Sequence, residues 1–253
     1  MKEGNKMKEN ELNFYNEIGN WDFSQIKYVS ENFTDWDYLN VIKENLTSES
    51  VVLDLGTADG MQIFKHYPKC KEILGTDFSD EMVKTAIKNS EKFKRDDVHF
   101  RVMDNLDMNT EENYFDVVTA RHTITDKKGI YKTLKDGGKL ILRGVDKLDC
   151  WNLKMMFGQG QAYNDEKPVS QRDYEELINA GFKDVELIPI HIIEYYETKE
   201  DLLALLLKTP IVQDENWNNK KFDINVLDNY IMKNTTEKGI KLIRRYYGIV
   251  AVK

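Results

Sequence analysis

A run of small residues follows an apolar segment early in this chain, and an acidic residue comes about 20 positions later. The apolar segment is Val51–Leu55, the small residues are Gly56, Ala58 and Gly60, and the acid is Asp77. Turns built from small residues let a ligand approach the backbone closely, and a carboxylate at this spacing can accept hydrogen bonds from ribose hydroxyls. The pattern therefore predicts a binding site for a cofactor that contains adenosine.

Side chains that could complete this site follow two other predicted strands. Met103, Asp104 and Asn105 come after one strand, and Arg121 and His122 come after the next. Ligands of an open α/β sheet bind beyond the carboxyl ends of its strands, so these residues should lie near the small-residue turn. We expect Asp104 to accept a hydrogen bond from the adenine amine, with Met103 and Asn105 beside the ring. The glycine spacing differs from the G-x-G-x-x-G fingerprint, which disfavours a nicotinamide cofactor.

His122 is the candidate catalytic residue. An imidazole with an unperturbed pKa of about 6.5 can act as the general base that removes a proton from a hydroxyl or an amine. His122 could also orient a substrate or simply line the site. Arg121 could bind an anionic group of a substrate or pair with a carboxylate of the site. No metal is expected, because the four histidines have no metal-ligand spacing.

An alternation of predicted strands and helices positions these residues and indicates an α/β fold. Strands are predicted at 51–55, 73–76, 98–102, 115–120, 139–143, 185–190 and 240–252. Helices are predicted to open at three capping patterns, Thr34-x-x-Asp37, Ser170-x-x-Asp173 and Thr198-x-x-Asp201. Residues 1–33 are expected to be irregular. The alternation predicts a mostly parallel sheet with helices on both faces.

Several of these segments resemble the motifs of class I S-adenosylmethionine-dependent methyltransferases. Asp54-Leu55-Gly56-Thr57-Ala58-Asp59-Gly60 is similar to the first motif, although the family's usual middle glycine is Ala58 here. Asp77-Phe78-Ser79-Asp80-Glu81-Met82 resembles the segment after strand two, and Asp104 stands where the family has its adenine-contacting acid. Segments 114–118 and 134–140 look like the strand-four and strand-five signatures. The resemblance implies a Rossmann-like seven-stranded sheet whose last strand is antiparallel and inserted beside strand five.

The resemblance also implies an enzyme that transfers the methyl group of S-adenosyl-L-methionine. In such an in-line displacement the cofactor supplies the reactivity, and the protein supplies positioning and a dry pocket. The residues expected to bind the cofactor, from the strand ends and the motifs together, are Asp54, Gly56, Thr57, Ala58, Gly60, Asp77, Phe78, Met82, Met103, Asp104, Asn105 and Arg121.

The net charge and the absence of certain motifs limit which classes of molecule could accept the methyl group. The net charge of −8 argues against nucleic acid, whose recognition needs a basic face. The segment after the fourth strand has neither the Asn/Asp-Pro-Pro-aromatic motif of adenine methylation nor a cysteine for cytosine methylation. We therefore expect a small-molecule acceptor, apolar or aromatic, in an enclosed pocket. Two alternatives remain open: an RNA or protein methyltransferase, and a non-catalytic S-adenosylmethionine-binding module.

Two regions are expected along the chain. Residues 1–48 should form an N-terminal cap segment with the first helix, and residues 49–253 should form the α/β domain. Insertions at 144–169 and 191–239 are expected to form a lid over the substrate.

Three aromatic residues of these insertions are candidates for the wall of the substrate pocket: Trp151, Tyr195 and Tyr196. Ordinary packing in the core is the alternative interpretation for each of them. A substrate wall would place their rings against an apolar or aromatic acceptor.

The chain also indicates a cytoplasmic location. The N-terminal residues are polar, without the apolar core of a signal peptide, and no window approaches the roughly 18 apolar residues of a membrane span. Cys70 and Cys150 have no CxxC spacing, which is typical of reduced thiols. We expect no contact with membranes, and the sequence does not indicate an oligomeric state.

Overall fold

The computed structural model describes residues 2–18, 23–214 and 223–253, with side chains from residue 9 onward. One sheet of nine strands forms the centre of this part of the protein. The strands are β1 (Tyr28–Asn32), β2 (Val51–Leu55), β3 (Glu72–Asp77), β4 (Val98–Val102), β5 (Phe115–Arg121), β6 (Leu134–Val145), β7 (Lys183–Tyr196), β8 (Thr235–Thr236) and β9 (Gly239–Val252).

The strand order is β4-β3-β2-β5-β6-β9-β7-β1, with the short β8 paired to β9. Strands β2 to β6 are parallel to one another, and β9 is antiparallel to both β6 and β7. The predicted Rossmann-like fold is therefore confirmed. The antiparallel last strand is β9, and it lies beside the fifth predicted strand, which is β6. The order reverses between β2 and β5, so the carboxyl ends of these strands form the switch point at which ligands bind.

The sheet has two strands more than the seven that were predicted. At the edge, β1 pairs antiparallel with β7 from Tyr28 opposite Tyr196 to Asn32 opposite Ile192. Four of its five residues are exposed, so β1 has no alternation of apolar and polar residues that could have marked it as a strand.

The helices are α1 (Lys2–Ile18), α2 (Tyr38–Asn45), α3 (Met61–His66), α4 (Asp80–Phe93), α5 (Lys127–Thr133), α6 (Trp151–Phe157), α7 (Val169–Ala180), α8 (Lys199–Lys208) and α9 (Ile224–Asn234), with a 3-10 helix at Pro210–Val212. The expectation that residues 1–33 are irregular was wrong, because this segment contains both α1 and β1. Its aromatic residues obscured the helical spacing of α1.

The first predicted helix begins later than expected. Thr34 does not cap a helix: its hydroxyl donates to the carbonyl of Pro189 at 3.3 Å and accepts from the N–H of His191 at 3.1 Å. Asp37 is the cap, because its carboxylate accepts the N–H of Asn40 at 2.8 Å. Competition from the neighbouring β7 backbone therefore moved the start of α2 by one turn.

The other two capping predictions had different outcomes. Ser170 lies inside α7, where its hydroxyl donates to Asp146 at 2.5 Å, and the cap position is held by Pro168. The box formed by Thr198 and Asp201 at the start of α8 is present as predicted.

Both faces of the sheet are covered by helices. Along β2, Val51 and Leu53 pack on one face and Val52 packs on the other, so the whole strand is buried. A third apolar cluster lies against the ends of β7 and β9, with members such as Leu153, Leu202 and Leu227 from α6, α8 and α9. The described residues of segments 144–169 and 191–239 thus pack together against these strand ends and against Ile26. Within the described ranges, no helix is both long and apolar enough to cross a bilayer.

Candidate active site

A cavity of about 360 Å³ lies beyond the carboxyl ends of β2, β3 and β5. Its lining brings together eight of the residues predicted for the site, which are Gly56, Ala58, Asp77, Phe78, Met82, Asn105, Arg121 and His122. Helix α1 contributes Glu11 and Tyr15. The remaining side comes from the two insertions, and we call it the insertion wall: residues 159–165 with Pro210, Gln213 and Asp214.

The turn after β2 has a left-handed backbone at each of its three small residues. The φ angles are +71° at Gly56, +49° at Ala58 and +74° at Gly60. A Cβ on Gly56 would lie 2.8 Å from the Cβ of Thr123, so a larger residue does not fit there. The N–H groups of Gly56 and Thr57 both donate to the carbonyl of Thr76, at 2.8 and 2.9 Å. These bonds fix the turn to β3 and keep its backbone at the cavity.

Asp77 connects this turn with the helix that follows β3. One carboxylate oxygen accepts the N–H of Ala58 at 2.9 Å, and the other accepts the N–H of Ser79 at 3.0 Å. Burial raises the pKa of Asp77, although the two backbone donors favour its charged form. The side chain lines the cavity in a fixed orientation, where its remaining lone pairs can accept hydrogen bonds from a ligand.

Asp54 lies below the cavity rather than in its lining. Its carboxylate accepts hydrogen bonds from the hydroxyls of Tyr67 at 2.8 Å and Thr119 at 2.6 Å. Burial raises the pKa of Asp54, since water is excluded from this group. Asp54 therefore stabilises the strand ends through these hydrogen bonds and does not contact the cavity itself.

Of the residues expected around the adenine, Asn105 lines the cavity, whereas Met103 and Asp104 do not. Met103 packs in the core, and an oxygen of Asp104 accepts the N–H of Leu106 at 2.8 Å. The amide nitrogen of Asn105 donates to the hydroxyl of Thr123 at 3.0 Å, while its buried carbonyl oxygen has no partner among the described residues. That oxygen can accept a hydrogen bond from a ligand. Thr57 and Gly60, the remaining members of the predicted set, belong to the turn but do not line the cavity.

His122 lines the cavity and is bound to Arg143. Its Nε2 lies 2.6 Å from the guanidinium, and because arginine only donates, Nε2 accepts and Nδ1 carries the ring proton. The imidazole also stacks on Tyr246, with 5.2 Å between ring centroids. Burial, together with the charges of Arg143, Arg121 and Arg244, lowers the pKa of His122 well below its ordinary value. The ring is therefore neutral at pH 7.

The three residues expected to form the substrate wall do not line the cavity. Trp151 stands one layer behind, stacked on Tyr163 of the insertion wall at 5.3 Å. The hydroxyl of Tyr195 donates to Glu31 at 3.1 Å across the β1–β7 edge. Tyr196 is buried in the third apolar cluster. The physical reason is that β7 continues to Tyr196 instead of ending near residue 190, so both tyrosines belong to the sheet.

Gln213 is a site residue that the sequence analysis missed. It is only 6% exposed, it lines the cavity, and neither its amide nitrogen nor its amide oxygen has a partner within the described chain. Buried amides are normally hydrogen-bonded. No periodic pattern marked this position, because it follows the 3-10 helix in an irregular segment.

Tyr15 was also missed, since residues 1–33 were expected to be irregular. Its ring contacts that of Phe78 at 5.7 Å, and burial, followed by the charges of Glu11 and Asp77, raises its pKa. Helix α1 therefore covers the cavity beside the predicted ribose-binding acid.

Comparisons with known proteins agree with this architecture. A family model described as a methyltransferase domain matches residues 46–181. Among curated proteins, none matches this sequence.

Solved structures share the fold at low sequence identity. The YcgJ protein of Bacillus subtilis is 18% identical with a TM-score of 0.58, and the match covers 85% of this chain and 97% of YcgJ. A functionally unknown protein from Deinococcus radiodurans R1 is 12% identical with a TM-score of 0.61, over 94% and 96% of the two chains. Haemonchus contortus phosphoethanolamine N-methyltransferase 2, in complex with phosphomonomethylethanolamine and S-adenosylhomocysteine, is 23% identical with a TM-score of 0.53, over 87% and 53%.

Proposed function

The chain belongs to the class I S-adenosylmethionine-dependent methyltransferases, and we propose that it methylates a small molecule held in the cavity at the carboxyl edge of its sheet. The observation that carries this proposal is the lining of that cavity. Predicted cofactor-binding residues form one side, and α1 with the insertion wall forms the other. An acceptor must therefore enter a covered space, which suits a small molecule better than a folded RNA or protein.

The residues present fit the cofactor. Asp77 offers carboxylate oxygens to the ribose hydroxyls, and the unpartnered oxygen of Asn105 offers an acceptor to the adenine amine. The turn at Gly56 brings backbone close to the cavity without a Cβ. When bound, S-adenosylmethionine supplies an electrophilic methyl group on sulfur. The protein supplies orientation and exclusion of water.

His122 and Gln213 face the space left for the acceptor. With Nε2 engaged by Arg143, His122 has only an N–H to present, so it can orient an acceptor oxygen or nitrogen. A base role would require the bond to Arg143 to open, and it stays a prediction. The unpartnered amide of Gln213 can bind a polar group of the acceptor from the insertion wall. Polar recognition therefore supplements the apolar contacts that the sequence analysis expected.

The experiment that tests the proposal follows the label from methyl-tritiated S-adenosylmethionine. The purified protein is incubated with three fractions of a cell extract: low-molecular-mass metabolites, RNA and protein. We expect label to enter the metabolite fraction with the wild type and to be strongly reduced with Asp77→Asn. Labelling confined to RNA or protein would refute a small-molecule acceptor. Absence of S-adenosylhomocysteine binding in calorimetry would refute the cofactor site itself.

A further inference from the structure

A second cavity of about 140 Å³ lies next to the first and shares Arg121 with it. Arg143 lines this second cavity as well, beside Tyr38 at the start of α2 and Ile192 on β7. The volume is far larger than the roughly 15 Å³ that one water needs. It can therefore hold a small group of a bound molecule whose remainder occupies the main cavity.

The two arginines stand side by side. Arg121 ends β5, and Arg143 is its register partner on the parallel neighbour β6. Adjacent strands are about 4.8 Å apart, so two cations of like charge start from neighbouring backbone positions. Such a pair is destabilising unless an anion compensates it.

No carboxylate of the described residues forms an ion pair with either arginine. Arg143 instead donates to His122 and lies with its guanidinium carbon 4.0 Å from the ring centroid of Tyr246. The nearby Arg244 differs, because Asp149 holds it at 3.0 and 3.1 Å and Glu194 holds it at 2.9 Å. Asp149 and Glu194 therefore pair with Arg244, whereas within the described chain Arg121 and Arg143 have no carboxylate in direct contact and feel Asp54 and Asp149 only at longer range.

Tyr38 also lines this cavity. It is 5% exposed, and its hydroxyl lies close to Asp54, Tyr67 and Thr119, so it is not a donor to the cavity. The one acid in the lining, Asp37, uses an oxygen to cap α2 through the N–H of Asn40 at 2.8 Å. Two guanidinium groups and a single carboxylate therefore line this space.

We propose that the second cavity binds an anionic group of the methyl acceptor, a carboxylate or a phosphate monoester, between Arg121 and Arg143. Planar guanidinium groups bind both anions through two parallel hydrogen bonds. The proposal rests on the proposed function, because Arg121 links the anion to the cavity in which methyl transfer takes place. The substrate class is thus a small organic acid whose methylated atom lies next to His122.

The first test measures anion binding directly. Calorimetry of the full chain, with and without saturating S-adenosylhomocysteine, uses inorganic phosphate, acetate and neutral acetamide as probes. We expect phosphate or acetate to bind, acetamide not to bind, and Arg121→Gln or Arg143→Gln to weaken the anion about 10–100-fold. Arg245→Gln, on the same sheet but outside both cavities, should change nothing. Equal affinity in the wild type and both arginine variants, or equal binding of acetamide, would overturn the proposal.

The second test examines the labelled product of the metabolite fraction. We expect it to be retained on an anion exchanger at neutral pH, and release by alkaline phosphatase would identify a phosphate rather than a carboxylate. A labelled product that passes through the exchanger unretained would contradict an anionic acceptor. If S-adenosylhomocysteine does not bind, the proposed function fails, whereas the arginine-dependent binding of phosphate is still measured in its absence. Arg143→Lys, which keeps the charge but loses the planar fork, covers the case in which Arg143→Gln does not fold.

Discussion

His122 and Arg143 are joined by two hydrogen bonds. The backbone N–H of His122 donates to the carbonyl of Arg143 at 2.8 Å, and the Arg143 side chain donates to Nε2 of the imidazole at 2.6 Å. The pair holds His122 at a φ of +54°, a left-handed conformation that non-glycine residues adopt rarely. This strained backbone conformation at the end of β5 persists because the surrounding contacts fix it. Such strain is found most often at functional sites.

The lowered pKa of His122 predicts a pH dependence of stability. Its folded-state pKa lies below the unfolded value of about 6.5, so the unfolded chain takes up the proton first as the pH falls. The free energy of unfolding should therefore decrease as the pH falls below ~6.5, with a slope that solvent screening keeps well under the limit of about 1.4 kcal/mol per pH unit for one group. Urea denaturation at several pH values should show this slope in the wild type and a shallower slope in His122→Gln. The same slope in both proteins would contradict the assignment, and the exposed His99→Gln serves as the control.

Removal of the Asp77 carboxylate should weaken cofactor binding. Asp77→Ala loses a charge-assisted pair of hydrogen bonds worth about 1.5–3 kcal/mol, which corresponds to a Kd for S-adenosylhomocysteine raised about 10–100-fold. Isothermal calorimetry measures this Kd, and circular dichroism verifies the fold. Asp80→Ala is the matched control, because this exposed acid of the same segment pairs with Lys84 instead. An unchanged Kd for Asp77→Ala would show that the ribose is bound elsewhere.

The strand-end residues of the site could be predicted from the sequence because local pattern determines where they lie. An apolar strand followed by small residues fixes the turn at Gly56, and parallel strands bring Asp77, Asn105 and Arg121 to one edge. That Asn105 rather than Asp104 lines the cavity could not be predicted, since a shift of one residue after β4 decides which side chain faces it. Periodicity gives element boundaries only to within a few residues.

Contacts between distant segments could not be predicted. Tyr195 and Tyr196 belong to the sheet because β7 finds a partner in β1, about 165 residues earlier in the chain, and exposed edge strands have no apolar alternation. The approach of Arg143 to His122 follows from the register between β5 and β6. The position of Gln213 depends on the packing of the whole third apolar cluster, to which no local rule applies.

Ala58 should be less favourable than glycine at its position. Its φ of +49° costs a residue with a Cβ about 1–2 kcal/mol, and the greater freedom of glycine in the unfolded chain offsets about 0.4–1 kcal/mol. Ala58→Gly should therefore raise the free energy of unfolding by up to about 1.6 kcal/mol and preserve cofactor binding. Chemical denaturation measures the first and calorimetry the second. Ala86→Gly, inside α4, should have the opposite sign, a loss of about 1 kcal/mol or more. Destabilisation by both variants would show that the turn is not strained.

Replacement of Gln213 should change stability and acceptor binding in opposite directions. Its two buried amide atoms have no partner in the described structure, and each such atom costs about 1–3 kcal/mol of desolvation. Gln213→Leu keeps similar volume and removes both atoms, so the free energy of unfolding should rise. Gln159→Leu, on the same wall, should lower it by about 1 kcal/mol, because the Gln159 amide donates to the carbonyl of Val212 at 2.8 Å.

The same variant should lose activity if the amide binds the acceptor. We expect Gln213→Leu to raise the KM for the acceptor about 10-fold, as for one lost hydrogen bond, while the Kd for S-adenosylhomocysteine stays constant. An unchanged KM together with a higher free energy of unfolding would show that the unpaired amide of Gln213 contributes neither to acceptor binding nor to stability. A weakened Kd for S-adenosylhomocysteine would instead assign Gln213 to the cofactor. A rise in the free energy of unfolding together with a loss of acceptor affinity would thus identify an amide that is retained for binding. Selection keeps a destabilising group where function needs it.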